Sequence, residues 1–126
     1  DESVDAAVCA LALVHVPDLG VAIGELARVV RPGGRVVISD VHPFLVALGW
    51  QAQFPTDQGR AFMRLHAHLP SDYVTAARDA GLAVLSCEEP RLTAEAAATP
   101  TATLVPDANR AAYVGLPGVL VWEFER

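Results

Sequence analysis

Four histidines in this chain of 126 residues sit where an imidazole could do chemistry. His15 follows an apolar run, at the exit of what reads as a strand. There a ring with a near-neutral pKa can act as a base, or simply fix a loop through backbone hydrogen bonds. Asp40 and His42 are two apart, so in extended chain they point the same way and the carboxylate could orient the ring. A loop-capping Asp beside an exposed His fits the same spacing. His66 and His68 repeat that spacing, and a strand would put both rings on one face. Such a pair can begin a metal site, but a third ligand and outer support are needed, Asp40 and His42 being the nearest candidates; no metal is expected. Trp50, Phe54, Phe62 and Tyr73 surround the same stretch and could wall an apolar or aromatic pocket, or serve as ordinary core.

The elements that must position these residues follow from periodicity. Residues 4–13 (VDAAVCALAL) are a near-continuous apolar run, the pattern of a parallel strand covered on both faces, with a short helix as the competing reading. Asp18 can cap a helix over 19–30, whose apolar Ala22, Ile23, Leu26, Ala27, Val29 and Val30 recur at three- and four-residue spacing. Pro32-Gly33-Gly34 stops it, and 35–40 (RVVISD) is β-branched again, which completes a βαβ unit with an expected right-handed crossover. Residues 51–54 and 59–69 can pair as a hairpin around Pro55-Thr56-Asp57-Gln58, although 61–65 also fits a helix. Pro70-Ser71-Asp72 opens a second helix that Gly81 closes, and 82–87 is a third strand. Residues 93–103, rich in Ala and Thr without periodicity, read as a loop with a frayed helical turn. Residues 107–113 read as a short helix and 119–124 (VLVWEF) as the last strand.

Composition narrows the function classes. With 52% hydrophobic and 19% charged residues the chain has the size and make-up of one domain. A net charge of -6 gives no basic footprint, so no nucleic-acid partner is expected and a small molecule is the better prior. No stretch reaches the roughly 18 apolar residues that a membrane span requires. Cys9 and Cys87 lie in apolar stretches and are expected as reduced core thiols of a cytoplasmic protein. The chain opens on Asp1-Glu2-Ser3, with Met63 its single methionine, and reads as the continuation of a domain rather than its start.

The strand opened by Asp5, the segment CALALVHVPDL, the helix ending in ELARVVRPGG and the strand RVVISDVHP together resemble class I S-adenosylmethionine-dependent methyltransferases acting on small molecules. The resemblance is close over the first 43 residues and loose beyond. It implies that the chain is the C-terminal half of such a domain, 1–126 forming a single partial domain with a substrate-side insertion at 44–70. The implied fold is α/β, half of a doubly wound Rossmann-like sheet. Its four strands would run in the order first, second, last, third, the last antiparallel, with flanking helices and the hairpin as an insertion. In that family the cofactor is held mainly by a Gly-rich loop after an earlier strand, which this sequence lacks. The resemblance puts Ala10, Leu11, Leu13 and His15 at the methionine portion of S-adenosylmethionine. It makes His15 and His42 the candidate catalytic residues, and Asp40, His42, Trp50, His66 and His68 the candidate contacts to a small-molecule methyl acceptor.

Two further readings compete with a methyltransferase half that is inactive as this isolated chain. One is a non-catalytic binding or interaction module; the weaker one is a metal-dependent enzyme centred on His66 and His68. In either case the strand over 4–13 would expose one unpaired apolar edge, which favours self-association.

Overall fold

The computed structural model describes residues 1–97 and 106–126. Strand β1 (Val4–Ala10) leads through a turn of 3-10 helix (Leu13–His15) to helix α1 (Leu19–Val29) and strand β2 (Val30–Val41). Helix α2 (Pro43–Ala47), a hairpin of β3 (Ala52–Thr56) and β4 (Gly59–Met63), helix α3 (Pro70–Asp79) and strand β5 (Ala83–Glu88) follow. Helix α4 (Pro106–Tyr113) and strand β6 (Val119–Glu125) end the chain. The main sheet has the order β1-β2-β6-β5, with β1 parallel to β2 and β6 antiparallel to both neighbours. This is the arrangement that the methyltransferase resemblance implied.

Alternation along the central strands explains the core. Val36 and Ile38 of β2 and Leu120, Trp122 and Phe124 of β6 are buried on one face, against Ile23 and Ala27 of α1 and Tyr73 and Ala77 of α3. Asp18 caps α1 by accepting the Val21 N–H at 3.0 Å. Asp72 closes the start of α3 by accepting the Leu69 N–H at 2.8 Å, and Gly81, at φ +75°, ends it.

Several expectations change in detail. The first strand stops at Ala10, because Leu11 takes φ +52° and turns the chain into the 3-10 turn. It is not covered on both faces: α1 and α3 share one face, and Val8 on the other is 73% exposed. The second strand is longer than 35–40, because Val30 already pairs with Val4 before Pro32-Gly33-Gly34 loops out and pairing resumes at Ala6 with Arg35. Gly34 is required in that detour, since a Cβ would lie 2.5 Å from the Asp5 carbonyl oxygen and 2.9 Å from that of Arg31.

The hairpin forms, in register from Ala52 with Met63 to Thr56 with Gly59, but its second strand ends at Met63, short of the histidines. Cys87, expected in the core, is exposed because β5 is an edge strand, whereas Cys9 packs partly against the core. Of the loop expected over 93–103, Thr93 caps a turn by accepting the Ala96 N–H on its hydroxyl, and 98–103 lie outside the described residues.

Candidate active site at the carboxyl edge of the sheet

β1 and β2 run parallel, so their carboxyl ends open on the same edge, where ligands of α/β sheets sit. At this edge Leu11 donates its N–H to the Ser39 carbonyl at 2.7 Å while holding its positive φ. A branched residue in that region stores strain, which the surrounding structure must impose. Leu11 is 54% exposed and Ala10 is exposed beside it, so both form an open apolar rim. Leu13, expected at the cofactor, lies instead in the main core, because the 3-10 turn rotates it inward.

Beneath the rim, Asp40 is buried with three donors around its carboxylate. Its Oδ2 accepts the Val14 N–H at 2.7 Å and the Tyr73 hydroxyl at 3.2 Å, and its Oδ1 accepts its neighbour Val41 N–H at 3.2 Å. Burial pushes its pKa up, and these hydrogen bonds, with His15 nearby, pull back against that rise. The Tyr73 phenol is raised by its own burial and by the Asp40 charge, so it stays a donor. Burial, and then Asp40, raise the Cys9 thiol too, which keeps it protonated and unreactive.

Hydrogen bonds to the backbone assign a tautomer to three of the histidines, because a carbonyl can only accept and an N–H can only donate. The His15 Nδ1 lies 3.1 Å from the Arg64 carbonyl oxygen, so in the neutral ring Nδ1 carries the proton and Nε2 the lone pair. The His68 Nε2 lies 2.7 Å from the Val16 carbonyl oxygen, so there the lone pair is on Nδ1. His42 caps α2: its Nδ1 accepts the Phe44 N–H at 3.1 Å, and its Nε2 donates to Glu89 at 2.9 Å. Both ring nitrogens of His42 are therefore engaged. Asp40 does not orient it, because its carboxylate is turned to Val14 and Tyr73 instead.

His66 and His68 come together without a strand. The His66 N–H donates to the Val14 carbonyl at 2.7 Å, and the two rings stack with centroids 6.1 Å apart. The edge thus gathers Ala10, Leu11, His15, Asp40, His66 and His68, and ties His42 away to Glu89. Trp50 packs against a small second core of Val14, Val46 and Leu65, and Tyr73 stacks on Trp122 in the main core, so the expected aromatic wall is divided. The Arg64 carbonyl and Glu89 were not foreseen, the first because any residue supplies a carbonyl. Among the described residues no three His, Cys, Asp or Glu side chains are grouped to hold a metal.

A groove of about 470 Å³ lies on the hairpin, lined by Gln51, Gln53, Arg60, Ala61 and Phe62. None of the histidines lines it, but β4 runs from it directly to Arg64, the residue that holds His15.

Comparison with known proteins agrees with this fold. Residues 1–38 match a family model described as a methyltransferase domain. No curated protein sequence matches the chain. Among solved structures, an S-adenosylmethionine-dependent methyltransferase from Mesorhizobium loti superposes with a TM-score of 0.69 at 22% identity, over 99% of this chain and 63% of that one. Geranyl diphosphate C-methyltransferase from Streptomyces coelicolor, solved with Mg2+, geranyl diphosphate and S-adenosylhomocysteine, superposes at 0.61 with 19% identity, over 99% of this chain and 47% of that one. The [4+2]-cyclase SpnF superposes at 0.56 with 21% identity, over all of this chain and 52% of that one. The chain spans less than two thirds of the length of each. It carries, over residues 1–38, the sequence pattern of a methyltransferase domain and, over its length, the fold of the S-adenosylmethionine-dependent methyltransferases.

Proposed function

We propose that this chain forms the acceptor-side wall of a methyltransferase that moves a methyl group from S-adenosylmethionine to a small molecule, with His15 as the base. The observation that carries the reading is the His15 ring at the exit of β1, fixed through Nδ1 by the Arg64 carbonyl so that Nε2 is left to face an acceptor. The SpnF likeness is a reminder that the fold alone does not dictate the reaction. The match over residues 1–38, which include β1 and the His15 turn, is what favours methyl transfer.

The residues at the edge fit one part of the cofactor. The exposed Ala10 and Leu11 offer small and apolar contacts suited to a methionine chain and its sulfur. When bound, S-adenosylmethionine supplies a methyl group on a positively charged sulfur. His15 Nε2 would take the proton that the acceptor gives up, and the Arg64 carbonyl would hold the resulting imidazolium through Nδ1. Asp40, which holds Val14 next to His15, keeps this turn in place. His66 and His68, bonded to the Val14 and Val16 carbonyls of the turn, remain proposed acceptor contacts, whereas His42, with both nitrogens engaged, serves to shape the loop.

Among the described residues no strand leads through a Gly-rich loop into a helix that would hold the adenosine, and on this reading the isolated chain is expected to bind the cofactor weakly and to transfer no methyl group. Isothermal calorimetry with S-adenosylmethionine tests this part. Micromolar affinity of these residues alone would refute it.

No helix among the described residues is long and apolar enough to cross a membrane. We place the protein in the cytoplasm, with no nucleic-acid or membrane partner. Cys9 and Cys87 remain thiols, on β1 and β5 at opposite sheet edges, roughly 14 Å apart at the usual strand spacing and far beyond bonding reach.

A second reading, an interaction module, has the β1 edge in its favour. Among the described residues β1 has a partner on one side only, and Val4 and Val8 along it and Leu11 just after it are exposed. Self-association through that edge is compatible with either reading.

A further inference from the structure

We propose that the groove on the β3–β4 hairpin is a recognition subsite for a small planar molecule bearing an anionic group, a carboxylate or phenolate. This rests on the methyl-transfer reading above and names the class of acceptor for it.

The register of the hairpin builds the subsite. Gln53 pairs with Phe62 and Pro55 with Arg60, so strand alternation puts Gln51, Gln53, Arg60 and Phe62 on one face. The other face is held down by Ala52, which packs against Val14, Val46 and Leu65. The groove that results, about 470 Å³, falls within the usual size of small-molecule sites, roughly 300–1,000 Å³.

Three features of this face, among the described residues, favour such a ligand. The first is charge. Arg28, Arg31, Arg35, Arg78 and Arg126 each meet a carboxylate, whereas among the described residues Arg60, like Arg64 and Arg91, meets none; its side-chain partner is the Gln53 amide oxygen, at 3.3 Å. In a chain of net charge -6 an arginine without a counter-ion is a ready anion site, because its planar fork matches a carboxylate. The second is Phe62, which leaves 68% of its surface exposed beside that cation and can stack on a ring. The third is the Gln51 amide oxygen, buried without a donor. Turning that amide toward an N–H or O–H held in the groove would relieve the cost.

The location suits an acceptor. Phe62 is two residues from Arg64, about 7 Å of extended chain, and the Arg64 carbonyl holds His15. A ring on Phe62 with its acid on Arg60 can therefore extend its other end toward His15 Nε2.

The test is an NMR titration of the chain at neutral pH with 4-hydroxybenzoate and, separately, its uncharged methyl ester. The acid is expected to shift the amides of Gln51, Gln53, Arg60 and Phe62 and to bind about tenfold tighter than the ester, the worth of one charge-assisted hydrogen bond. Arg60→Gln should remove that advantage and leave ester binding unchanged, while Arg60→Lys keeps part of it. Equal binding of acid and ester, shifts confined to other elements, or an acid affinity indifferent to Arg60→Gln would each overturn the proposal. Because the titration needs no cofactor, it can fail while methyl transfer is observed in a protein that also carries the proposed cofactor-binding half, or succeed where methyl transfer is not.

Discussion

Asp40 Oδ2 accepts the Val14 N–H at 2.7 Å across 26 residues of sequence, and so ties the end of β2 to the turn that carries His15. The same oxygen receives the Tyr73 hydroxyl of α3, which makes one buried carboxylate the junction of three elements. Asp40→Ala would leave both donors unpaired. A loss of roughly 1–3 kcal/mol for each donor orphaned is the expectation for buried groups. Urea denaturation reads the total, and the Val14 amide should gain fast hydrogen exchange in the variant; unchanged protection there would mean that the tie is not needed.

The Asp40 charge also gives stability a pH dependence of unusual sign. Burial raises its folded pKa above the unfolded value of about 4. The folded state thus binds the proton more tightly, and Asp40's contribution is full below the unfolded pKa and fades as pH rises through the folded one. Asp40→Asn removes this term and leaves the other carboxylates in place. The stability difference, variant minus parent, should therefore grow from pH 4 upward; a difference that shrinks over that range would show Asp40 to be stabilised as the anion.

What could be read ahead in the sequence was the βαβ unit, because residues 4–40 contain a long periodic helix with a cap and a Pro-Gly-Gly stop between two apolar runs. Helix α2 escaped that reading, since five residues are too few to show a period. The site was legible as a set of residues and not as a set of contacts. Asp40 and His42 have the spacing of a pair, but the chain turns into α2 at His42, and the Asp40 carboxylate finds Tyr73, 33 residues away. His66 and His68 do meet, through a backbone bond to Val14 rather than through a strand.

Two glycines should respond in opposite directions to alanine. At Gly34 the new Cβ meets backbone oxygens of Asp5 and Arg31, neither of which can move without breaking the join between β1 and β2. Gly34→Ala is expected to destabilise by about 1–3 kcal/mol or more. Gly24 is inside α1 with nothing within 4 Å of its missing Cβ, so Gly24→Ala should stabilise by about 0.5–1 kcal/mol. Thermal unfolding of the two variants checks both signs at once.

The open edge of β1 is expected to bring chains together. Val8→Lys puts a charge where Val8 is now 73% exposed, the device by which natural edge strands avoid pairing. Sedimentation velocity across a concentration series should show association of the parent chain and a shift toward monomer in the variant. A parent chain that stays monomeric at high concentration would remove the self-association proposal.

The histidines offer the sharpest division between catalysis and structure. Long-range proton–nitrogen correlation spectra should find His15 protonated on Nδ1 and both His42 and His68 protonated on Nε2, as their backbone partners demand. In a protein that also carries the proposed cofactor-binding half, His15→Gln removes a positioned base and should cost about 10²- to 10⁴-fold in methyl transfer, with little change in stability because the residue is only partly buried. His42→Ala should do the reverse. It removes the α2 cap and the bond to Glu89, costing about 0.5–2 kcal/mol of stability, and affects transfer only as far as the loop shifts. If His42→Ala abolished transfer in a protein that remained folded, while His15→Gln left it intact, the assignment of the base would have to be exchanged.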